Sequence, residues 1–505
     1  MEEYILEMRN ITKVFPGVKA LDDVTFKVKK GEIHALCGEN GAGKSTLMKV
    51  LSGVYPSGTY SGEIILKGKV QNFTKIKDSE EAAIAVIYQE LALVKQMSAC
   101  ENIFLGNEKT KNGFINWDEA YVDTRKVLEE VHLNINPLTK IINLGVGQQQ
   151  LVEIAKALAK NADILILDEP SAALTETETA NLLGLLKELK SKGVTCVYIS
   201  HKLNEIFEVA DNVTILRDGK TICTQPVEEL SENKIIAKMV GREITQRFPR
   251  VEHTPSEVVL EVTNWNVYNP ELPDTKVIDN VSFKVRKGEI LGIAGLMGAG
   301  RTELAMSIFG AFGVKASGEL KLNGEKLQIN GPKDAIKKGI SYLSEDRKRY
   351  GLVLGMDIKN NATLSCLDSM SKLNLINSNE IIKKTNKYVE KLRIKTPSIE
   401  QLAENLSGGN QQKLVLSKWV MTKPKVLIMD EPTRGIDVGA KYEIYSIMNQ
   451  LIEEGVCIVM ISSELPEILG MSDRILVMHE GKLMGELPWK DATQERVLTY
   501  ATGGI

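Results

Sequence analysis

The sequence lacks apolar runs long enough to cross a membrane. Its longest runs, such as 164–167 and 290–296, fall far short of the ~20 residues that a membrane-spanning helix needs. The first ten residues, MEEYILEMRN, are acidic where a secretory signal is basic, and no apolar stretch follows them. We therefore expect the chain to lie in the cytoplasm.

Cysteine is scarce and shows no pattern. The six cysteines lie at positions 37, 100, 196, 223, 366 and 457 without a CxxC pair, so we expect small buried thiols in a reducing compartment. The net charge of −3 gives no global attraction to phosphate backbones, which disfavours DNA or RNA as a partner. With 43% hydrophobic and 26% charged residues, the composition is that of a soluble globular protein.

What the sequence does contain is one internal repeat. Residues 20–26 (ALDDVTF) reappear as 277–283 (VIDNVSF), and residues 164–170 (ILILDEP) reappear as 426–432 (VLIMDEP). Two halves with the same order of motifs indicate a duplicated domain rather than a solenoid of short repeats.

The join between the halves lies near 241–256, a polar stretch with two prolines and no periodicity. We predict a first domain at 1–245, a linker at 246–255 and a second domain at 256–505.

Each half shows alternating strand and helix patterns. Residues 32–37 and 289–294 are short apolar segments that end at glycine-rich turns. Residues 164–167 and 196–199 have the continuous apolar pattern of buried strands, and the leucines of 175–192 recur at helical spacing. This order predicts an α/β fold around a largely parallel sheet, with ligands at the carboxyl ends of the strands.

One strand-to-helix turn carries a phosphate-binding motif. Residues 38–45 (GENGAGKS) fit GxxxxGK[ST], and the flanking strand and helix disfavour a chance glycine loop. Glycines let backbone N–H groups surround phosphate oxygens, while Lys44 would neutralise the β and γ phosphates and Ser45 would bind Mg²⁺. The residues predicted to hold ATP here are Gly38, Glu39, Asn40, Gly41, Ala42, Gly43, Lys44, Ser45 and Thr46.

An acidic pair follows the apolar segment at 164–167. Asp168 is placed to hold Mg²⁺, directly or through water, and Glu169 is placed to polarise the attacking water. Such a pair is most often a solvated turn, but this one follows a phosphate loop and is repeated in the second half.

Three further residues are candidates by position. His201 follows the apolar segment at 196–199 and would reach the γ-phosphate, although a lone histidine is more often structural. Gln89 is the candidate sensor that coordinates Mg²⁺ or water when nucleotide is present. Phe15, upstream of the phosphate loop, would stack on adenine, with core packing as the competing explanation. The predicted catalytic residues are Glu169, His201, Gln89 and Lys44.

Residues 406–411 (LSGGNQ) resemble the LSGGQ signature of ATP-binding-cassette proteins. Together with the other motifs in their order, the resemblance covers essentially the whole chain. It implies two tandem cassettes, each with a mostly parallel sheet core, an antiparallel β part and a helical subdomain. It also implies head-to-tail pairing, in which the signature of each half closes over the ATP held by the other half.

The implied pairing gives two composite sites of unequal completeness. Site one would add Ser407, Gly408 and Gly409 to the motifs of the first half, and no motif residue is missing. Site two departs from the family pattern at Arg301 for lysine, Ser344 for the sensor glutamine, Ser463 for the switch histidine and Gly145 for the signature serine. The residues assigned to site two are Gly295, Gly300, Arg301, Thr302, Asp430, Glu431, Gly145 and Gly147. We expect hydrolysis at site one, with weak or unproductive binding at site two and slow turnover there left open by Glu431.

The remaining features select among double cassettes. Exporters fuse cassettes to membrane spans, translation factors carry a long charged linker and two intact sites, and repair proteins carry coiled-coil or zinc-binding insertions. The sequence shows none of these features. At 292–302, 345–348, 430–437 and 462–466 it resembles the fused double cassettes that drive monosaccharide import.

Shorter stretches narrow the choice of sugar that the importer would carry. Residues 58–64, 91–94, 105–108 and 144–154 are most similar to xylose importers, whereas ribose, galactose, arabinose and multi-sugar relatives differ more. The resemblance therefore implies D-xylose, with those sugars as alternatives. A soluble ATPase that acts on a ribosome or another assembly is the alternative from a different class.

The resemblance also implies partners and place. The chain would be peripheral, on the cytoplasmic face of the cell membrane, with ATP and Mg²⁺ as cofactors. Its partners would be membrane permease subunits and, through them, an extracytoplasmic sugar-binding protein, so no residue here would contact the sugar. The segments after Gln89 and Ser344 would receive cytoplasmic helices of the permease, and 96–116 is the predicted docking surface.

Overall fold

The computed structural model describes the chain except for residues 1–3, 17, 89–90, 161, 172–173, 201, 242–247, 273, 314–315, 373–374 and 505. The chain divides into two compact units, Met1–Thr245 and Gln246–Ile505. Each unit has its own hydrophobic core.

The first unit contains an antiparallel sheet and a mostly parallel sheet. Its strands are β1 (Tyr4–Phe15), β2 (Val18–Lys29), β3 (Ile33–Cys37), β4 (Ser61–Leu66), β5 (Lys69–Gln71), β6 (Ile84–Ile87), β7 (Thr110–Lys111), β8 (Phe114–Ile115), β9 (Ile164–Asp168), β10 (Thr195–Ile199), β11 (Asn212–Arg217) and β12 (Lys220–Pro226). The antiparallel sheet has the order β2-β1-β4-β5. The second sheet has the order β12-β11-β3-β10-β9-β6, in which β11 through β6 run parallel and β12 is an antiparallel edge.

The helices of the first unit cover the parallel sheet and build a separate helical part. They are α1 (Lys44–Leu51), α2 (Ile76–Glu81), α3 (Ala99–Phe104), α4 (Trp117–Glu130), α5 (Val146–Ala159), α6 (Glu176–Ser191), α7 (Leu203–Val209) and α8 (Glu232–Val240). Helices α3, α4 and α5 pack on one another, and the short hairpin β7–β8 precedes α4.

The second unit repeats this arrangement strand for strand. Its strands are β13 (Val258–Tyr268), β14 (Lys276–Arg286), β15 (Ile290–Gly295), β16 (Ala316–Leu322), β17 (Glu325–Lys326), β18 (Ile340–Leu343), β19 (Ser371–Lys372), β20 (Leu375–Ile376), β21 (Val426–Asp430), β22 (Cys457–Ile461), β23 (Arg474–His479) and β24 (Lys482–Pro488). The antiparallel sheet has the order β14-β13-β16-β17, and the mostly parallel sheet has the order β18-β21-β22-β15-β23-β24. Its helices are α9 (Arg301–Ile308), α10 (Pro332–Lys338), α11 (Ile358–Thr363), α12 (Ser378–Lys391), α13 (Gly408–Val420), α14 (Val438–Glu453), α15 (Leu465–Met471) and α16 (Gln494–Ala501).

The predicted fold class is confirmed, including the parallel core, the antiparallel part and the helical part of each unit. The strand predicted at 32–37 is β3, and the helix predicted to open at Ser45 begins one residue earlier, at Lys44. Strands β3, β9 and β10 are mostly apolar and almost wholly buried, because helices cover both faces of a parallel sheet. Each fully buried side chain such as Leu165 or Val197 contributes about 1.5–3 kcal/mol to stability.

The described part of the predicted linker, residues 248–255, packs against the second unit. The ring of Phe248 lies 5.6 Å from that of Tyr445, measured between centroids, and the Asn449 side-chain amide donates to the Pro249 carbonyl at 2.6 Å. The Arg250 guanidinium donates to the Ser472 carbonyl at 2.8 Å. This stretch is therefore an arm held on the second unit, and the boundary at 256 stays a prediction.

The structure bears on the two sequence expectations about membrane-spanning helices and cysteines. Among the residues that the structure describes, no helix combines the length and apolarity that a bilayer span requires. All six cysteines are free thiols; four are buried, whereas Cys223 and Cys366 are half-buried.

Candidate functional site

The phosphate loop of the first unit leads from β3 into α1. Gly41 and Gly43 have φ of 87° and 102°, in the left-handed region that glycine enters without steric cost. At Gly43 a Cβ would lie 2.8 Å from both the Ala20 carbonyl oxygen and a Leu21 methyl group. This glycine is therefore required by close packing as well as by its backbone angle.

Lys44 opens α1 and is buried within its own loop. Its ammonium group donates to the Gly38 and Glu39 carbonyl oxygens at 2.7 and 3.1 Å. These contacts hold the positive charge beside the amides that would surround a phosphate. The predicted role of Lys44 is consistent with this position.

Asp168 and Ser45, the predicted metal ligands, are brought together. The Ser45 hydroxyl is close enough to Asp168 to lower the pKa of its carboxyl group, although the two residues are 123 positions apart in sequence. Burial and the neighbouring Glu169 carboxylate raise the pKa of Asp168, while Lys44 and the Ser45 hydroxyl oppose that rise. A carboxylate beside a hydroxyl is a hard-oxygen donor set, which fits Mg²⁺.

Glu169 has a strained backbone conformation. Its φ is 49°, and its N–H donates to the Ile199 carbonyl oxygen at 2.9 Å, which ties it to the end of β10. Non-glycine residues with positive φ cost energy and cluster at functional sites. Glu431 of the second unit has the same φ of 49° and an equivalent 2.9 Å bond to Ile461. The conformation is therefore built into both copies.

The other predicted catalytic residues, Gln89 and His201, lie outside the described residues. Their chain neighbours follow β6 and β10, which run parallel to β9 on either side of it. The carboxyl ends of these three strands meet at one edge of the sheet, where Asp168 ends β9. Their roles stay predictions.

Phe15 ends β1 and is only half-buried. Its ring lies 5.4 Å from that of Tyr55, edge to face, and 5.3 Å from the Lys13 ammonium nitrogen. Its ring therefore packs against Tyr55 at the margin of the core. Stacking on adenine stays a prediction.

The two signature segments occupy the same place in their units. Ser407 is the N-cap residue of α13, and Gly145 is the N-cap residue of α5. The Ser407 hydroxyl oxygen accepts a hydrogen bond from the Asn410 amide at 3.0 Å. Gly145 has no side chain with which to offer a hydroxyl.

The second phosphate loop is arranged differently from the first. Gly300 keeps a φ of 91°, but Arg301 donates to the Ser462 carbonyl at the end of β22, at 2.7 Å. Lysine in the first unit turns to its own loop instead, so the longer planar side chain places its charge elsewhere.

The acidic pair of the second unit is enclosed by hydroxyl groups. Tyr342 donates to Asp430 at 2.9 Å, and Ser463 donates to Glu431 at 3.0 Å. Burial raises the pKa of Glu431 to about 7, with the Ser463 hydroxyl and Arg301 opposing it. The Thr302 hydroxyl also lowers the pKa of Asp430, so Thr302 and Asp430 mirror Ser45 and Asp168.

Sequence reasoning missed a buried carboxylate behind the catalytic segment. Glu205 is 2% exposed, and its Oε2 accepts from the hydroxyls of Ser171, Tyr198 and Ser200 at 2.7, 2.7 and 3.1 Å. It thus joins the segment after Glu169 to the residue before His201. The repeat carried a signal for it, because LNEI at 203–206 returns as LPEI at 465–468.

Glu467 has the matching place in the second unit. It accepts from Thr433 at 2.7 Å and also from Ser462, and burial raises its pKa.

Comparisons with known proteins identify the family. The ABC transporter family model matches residues 21–172 and 278–434, one match in each unit. The xylose import ATP-binding protein XylG of Thermoanaerobacter pseudethanolicus is 66% identical over 504 residues, and that of Moorella thermoacetica is 61% identical, each alignment covering 100% of both chains. The L-arabinose transport ATP-binding protein AraG of Geobacillus stearothermophilus is 58% identical over 99% of this chain and 98% of its own. The chain belongs to the ABC transporter family and carries two of its ATP-hydrolysing cassettes.

Proposed function

We propose that the chain hydrolyses ATP to energise import of a monosaccharide, D-xylose, through a separate membrane permease fed by an extracytoplasmic binding protein. The full-length similarity to xylose import ATP-binding proteins supports this proposal. An arabinose-named relative at 58% identity ranks beside xylose-named relatives at 61% and 56%, so overall identity does not separate the two pentoses. The experiment must therefore decide the sugar.

The observation that carries the hydrolytic role is the grouping of Lys44, Asp168 and Glu169 in the first unit. Lys44 holds positive charge against its loop, and Glu169 is fixed at the strand edge. Ser45, Asp168 and, by its sequence position, Gln89 would hold Mg²⁺, which supplies positive charge to the β and γ phosphates. Glu169 accepts a proton from water as the water oxygen bonds to the γ-phosphorus and the bond to ADP breaks.

The two cassettes are proposed to pair head to tail and form two composite sites. Site one combines the first phosphate loop with the signature led by Ser407, and site two combines the second loop with the signature led by Gly145. The hydroxyl-capped acidic pair of Asp430 and Glu431 supports an inactive site two. ATP would close the cassettes, and hydrolysis at site one would let them part and move the permease between its two states.

The docking surface is proposed on the helical part of the first unit. A cavity of about 190 Å³ is lined there by Met97, Phe104, Leu105, Ile115 and Trp117, among others. The neighbouring Phe114 on β8 is 80% exposed. Exposed apolar side chains grouped in this way mark protein contacts. They lie in and beside the predicted surface at 96–116.

The deciding experiment measures ATPase activity of the chain with its membrane partners in lipid, adding each sugar with its binding protein. Stimulation by xylose but not by arabinose, ribose or galactose supports the full proposal. Stimulation by another sugar keeps the importer role and overturns the xylose assignment. If no membrane partner copurifies and no sugar acts, the importer role is overturned in favour of a soluble target.

Two carboxylate variants test the division between the sites. Glu169→Gln should abolish steady-state ATPase activity, because it removes the proton acceptor of site one. Glu431→Gln should retain much of it. Equal losses in the two variants would contradict the assignment.

A hairpin variant tests the docking surface. Phe114→Ser should uncouple transport from ATP hydrolysis while basal ATPase activity of the isolated chain is kept. Phe207→Ser, which changes an aromatic residue that is 37% exposed on α7, is the matched control. Normal transport by the Phe114 variant would place the docking surface elsewhere.

A further inference from the structure

The signature helix of the second unit begins beside a cation. The Arg347 guanidinium donates to the carbonyl oxygens of Arg434 and Gly435 at 2.8 and 3.2 Å, and its Nε reaches the Gln411 side chain at 3.5 Å. A Cβ at Gly408, the first residue of α13, would lie 2.9 Å from Nη2 of Arg347. Glycine at this position therefore gives the arginine room against the start of the helix.

The Arg347 guanidinium has more N–H donors than these contacts use. Among the described residues, these contacts use three of its five N–H groups. A half-buried guanidinium at a helix N-terminus adds a full charge to the partial positive charge of that terminus. The combination favours an anion there.

The signature helix of the first unit begins beside an anion instead. The Glu178 carboxylate lies against Gly147 in the first turn of α5, and the backbone N–H of Gly147 helps to lower its pKa. A Cβ at Gly147 would overlap that carboxylate. The same carboxylate accepts from the Thr175 N–H and hydroxyl, both at 2.9 Å, so its position is fixed from the α6 side.

Among the described residues, neither charged group has a counterpart at the same place in the other unit. Ala440 stands against Gly409 where Glu178 stands against Gly147, and it carries no charge. Arg347 lies on a turn that is longer in the second unit than in the first. The end of this turn can be located in both units, because each makes the same contact there. Val94 and Val353 each donate their N–H to an asparagine side chain at 2.8 Å, but Val353 follows β18 by ten residues and Val94 follows β6 by seven. The corresponding stretch of the first half, 89–93, reads QELAL and contains no basic residue.

We propose that Arg347 and Glu178 are specificity-determining residues that set the affinity of the two composite sites for the γ-phosphate in opposite directions. Arg347 adds attraction at the signature that closes site one. Glu178 occupies a signature amide at site two as an internal anion and repels a triphosphate. This inference rests on the composite sites proposed above. The two composite sites would then differ in the charge beside their signature helices as well as in their phosphate loops.

The Arg347 test compares ATP with ADP in the full complex with its permease. Arg347→Ala should raise the KM for ATP about tenfold, because one charge-assisted contact to the γ-phosphate is lost. Inhibition by ADP, which has no γ-phosphate, should not change. Arg347→Lys should recover part of the loss, since it keeps the charge without the planar fork. Arg349→Ala, on the same turn, is the control and should match wild type.

The Glu178 test counts bound nucleotide. Glu178→Gln keeps an acceptor for Thr175 but removes the charge, so a nonhydrolysable ATP analogue should bind site two about tenfold more tightly. Titration calorimetry on the full chain should then resolve a second binding event. Glu176→Gln, an exposed first-turn residue of the same helix, is the control and should bind as wild type does.

Lys44→Ala separates failure of this inference from failure of the proposed function. If Lys44→Ala keeps its ATPase activity, the proposed role of site one is wrong. If Lys44→Ala is inactive while Arg347→Ala has the KM of wild type and Glu178→Gln binds as wild type does, this inference alone is overturned. An equal rise for ATP and ADP in Arg347→Ala would show a structural role instead.

Discussion

The Tyr342 hydroxyl donates to the Oδ2 of Asp430 at 2.9 Å, beneath the second phosphate loop. The corresponding position of the first unit, in β6, is Val86, which has no hydroxyl. Asp430 is fully buried, and its Oδ1 has no partner among the described residues. A tyrosine thus gives the second acidic pair an internal donor that the first pair lacks in β6.

Tyr342→Phe should destabilise the second unit by about 1–3 kcal/mol, because it removes a donor from a buried carboxyl group. Urea unfolding at neutral pH measures the loss. Tyr350→Phe, at a position that is 66% exposed, is the control and should be neutral. A Tyr342→Phe variant as stable as wild type would mean that the hydrogen bond contributes nothing.

Glu431 makes stability depend on pH. Its pKa in the folded chain is raised to about 7 by burial, above the ordinary value of 4.5. The folded state therefore holds this proton more tightly, so the contribution of Glu431 is fully present below about pH 4.5 and is lost as pH rises through about 7. Glu431→Gln cannot ionise and should be more stable than wild type by about 1–3 kcal/mol at pH 8.

That difference should shrink as pH falls from 8 to 5, which thermal unfolding across this range can follow. Glu495→Gln, at an exposed position on α16, should show no pH-dependent difference from wild type. A constant gap between Glu431→Gln and wild type across this range would contradict the raised pKa.

Glu205 should be required for both stability and turnover. Glu205→Ala removes the shared acceptor of three buried hydroxyls and the carboxylate that pairs with the Lys202 ammonium at 3.2 Å, at a cost of about 3–5 kcal/mol. Glu205→Gln keeps an acceptor and should cost less in stability while still lowering kcat. The half-exposed Glu208, paired with Lys187, supplies the control, because Glu208→Gln should change stability by less than about 0.5 kcal/mol.

Gly470→Ala tests whether the arm of residues 248–255 is docked in solution. Alanine is the better helix former by about 1 kcal/mol, so an undocked arm would let this change stabilise α15. A docked arm should reverse the sign, because the new methyl group would overlap the Phe248 ring. Thermal unfolding gives the sign.

A matched control for Gly470 exists in the first unit. Gly184 lies in α6 with no atom within 4 Å of a Cβ, so Gly184→Ala should stabilise the chain. Once Phe248→Ala has removed the ring, adding Gly470→Ala should no longer lower stability. The double variant should therefore be at least as stable as Phe248→Ala alone. If Gly470→Ala still lowers stability in the Phe248→Ala background, the two residues do not contact each other.

Motifs that are local in sequence were predictable, because their chemistry is written in neighbouring residues. The phosphate loop at 38–45 and the acidic pair at the end of β9 follow directly from short patterns, and the repeat located their counterparts. Departures at Gly145, Arg301 and Ser463 could also be read, since each is a substitution within a known motif. The sensor departure was assigned to Ser344, but the register that aligns Tyr342 with Val86 aligns Ser344 with Tyr88, one position before Gln89 in sequence.

Tertiary partners could not be predicted in this way. Tyr342 looks like any aromatic residue in a buried strand until the register places it against Asp430. Glu178 looks like an ordinary capping residue, because its second role depends on a helix that begins 32 positions earlier. Arg347 sits on an insertion without a motif. Each of these contacts is set by packing between elements, on which local sequence patterns carry no information.

The arm on the second unit bears on how this protein should be dissected. A cut at Ser256, where composition draws the second domain, would remove Phe248 and Arg250 and bare Tyr445 and Asp473 to solvent. The isolated second unit would then expose an apolar groove and would tend to aggregate. Expression of the second cassette alone should therefore start upstream of Phe248, so that the fragment brings its own cover.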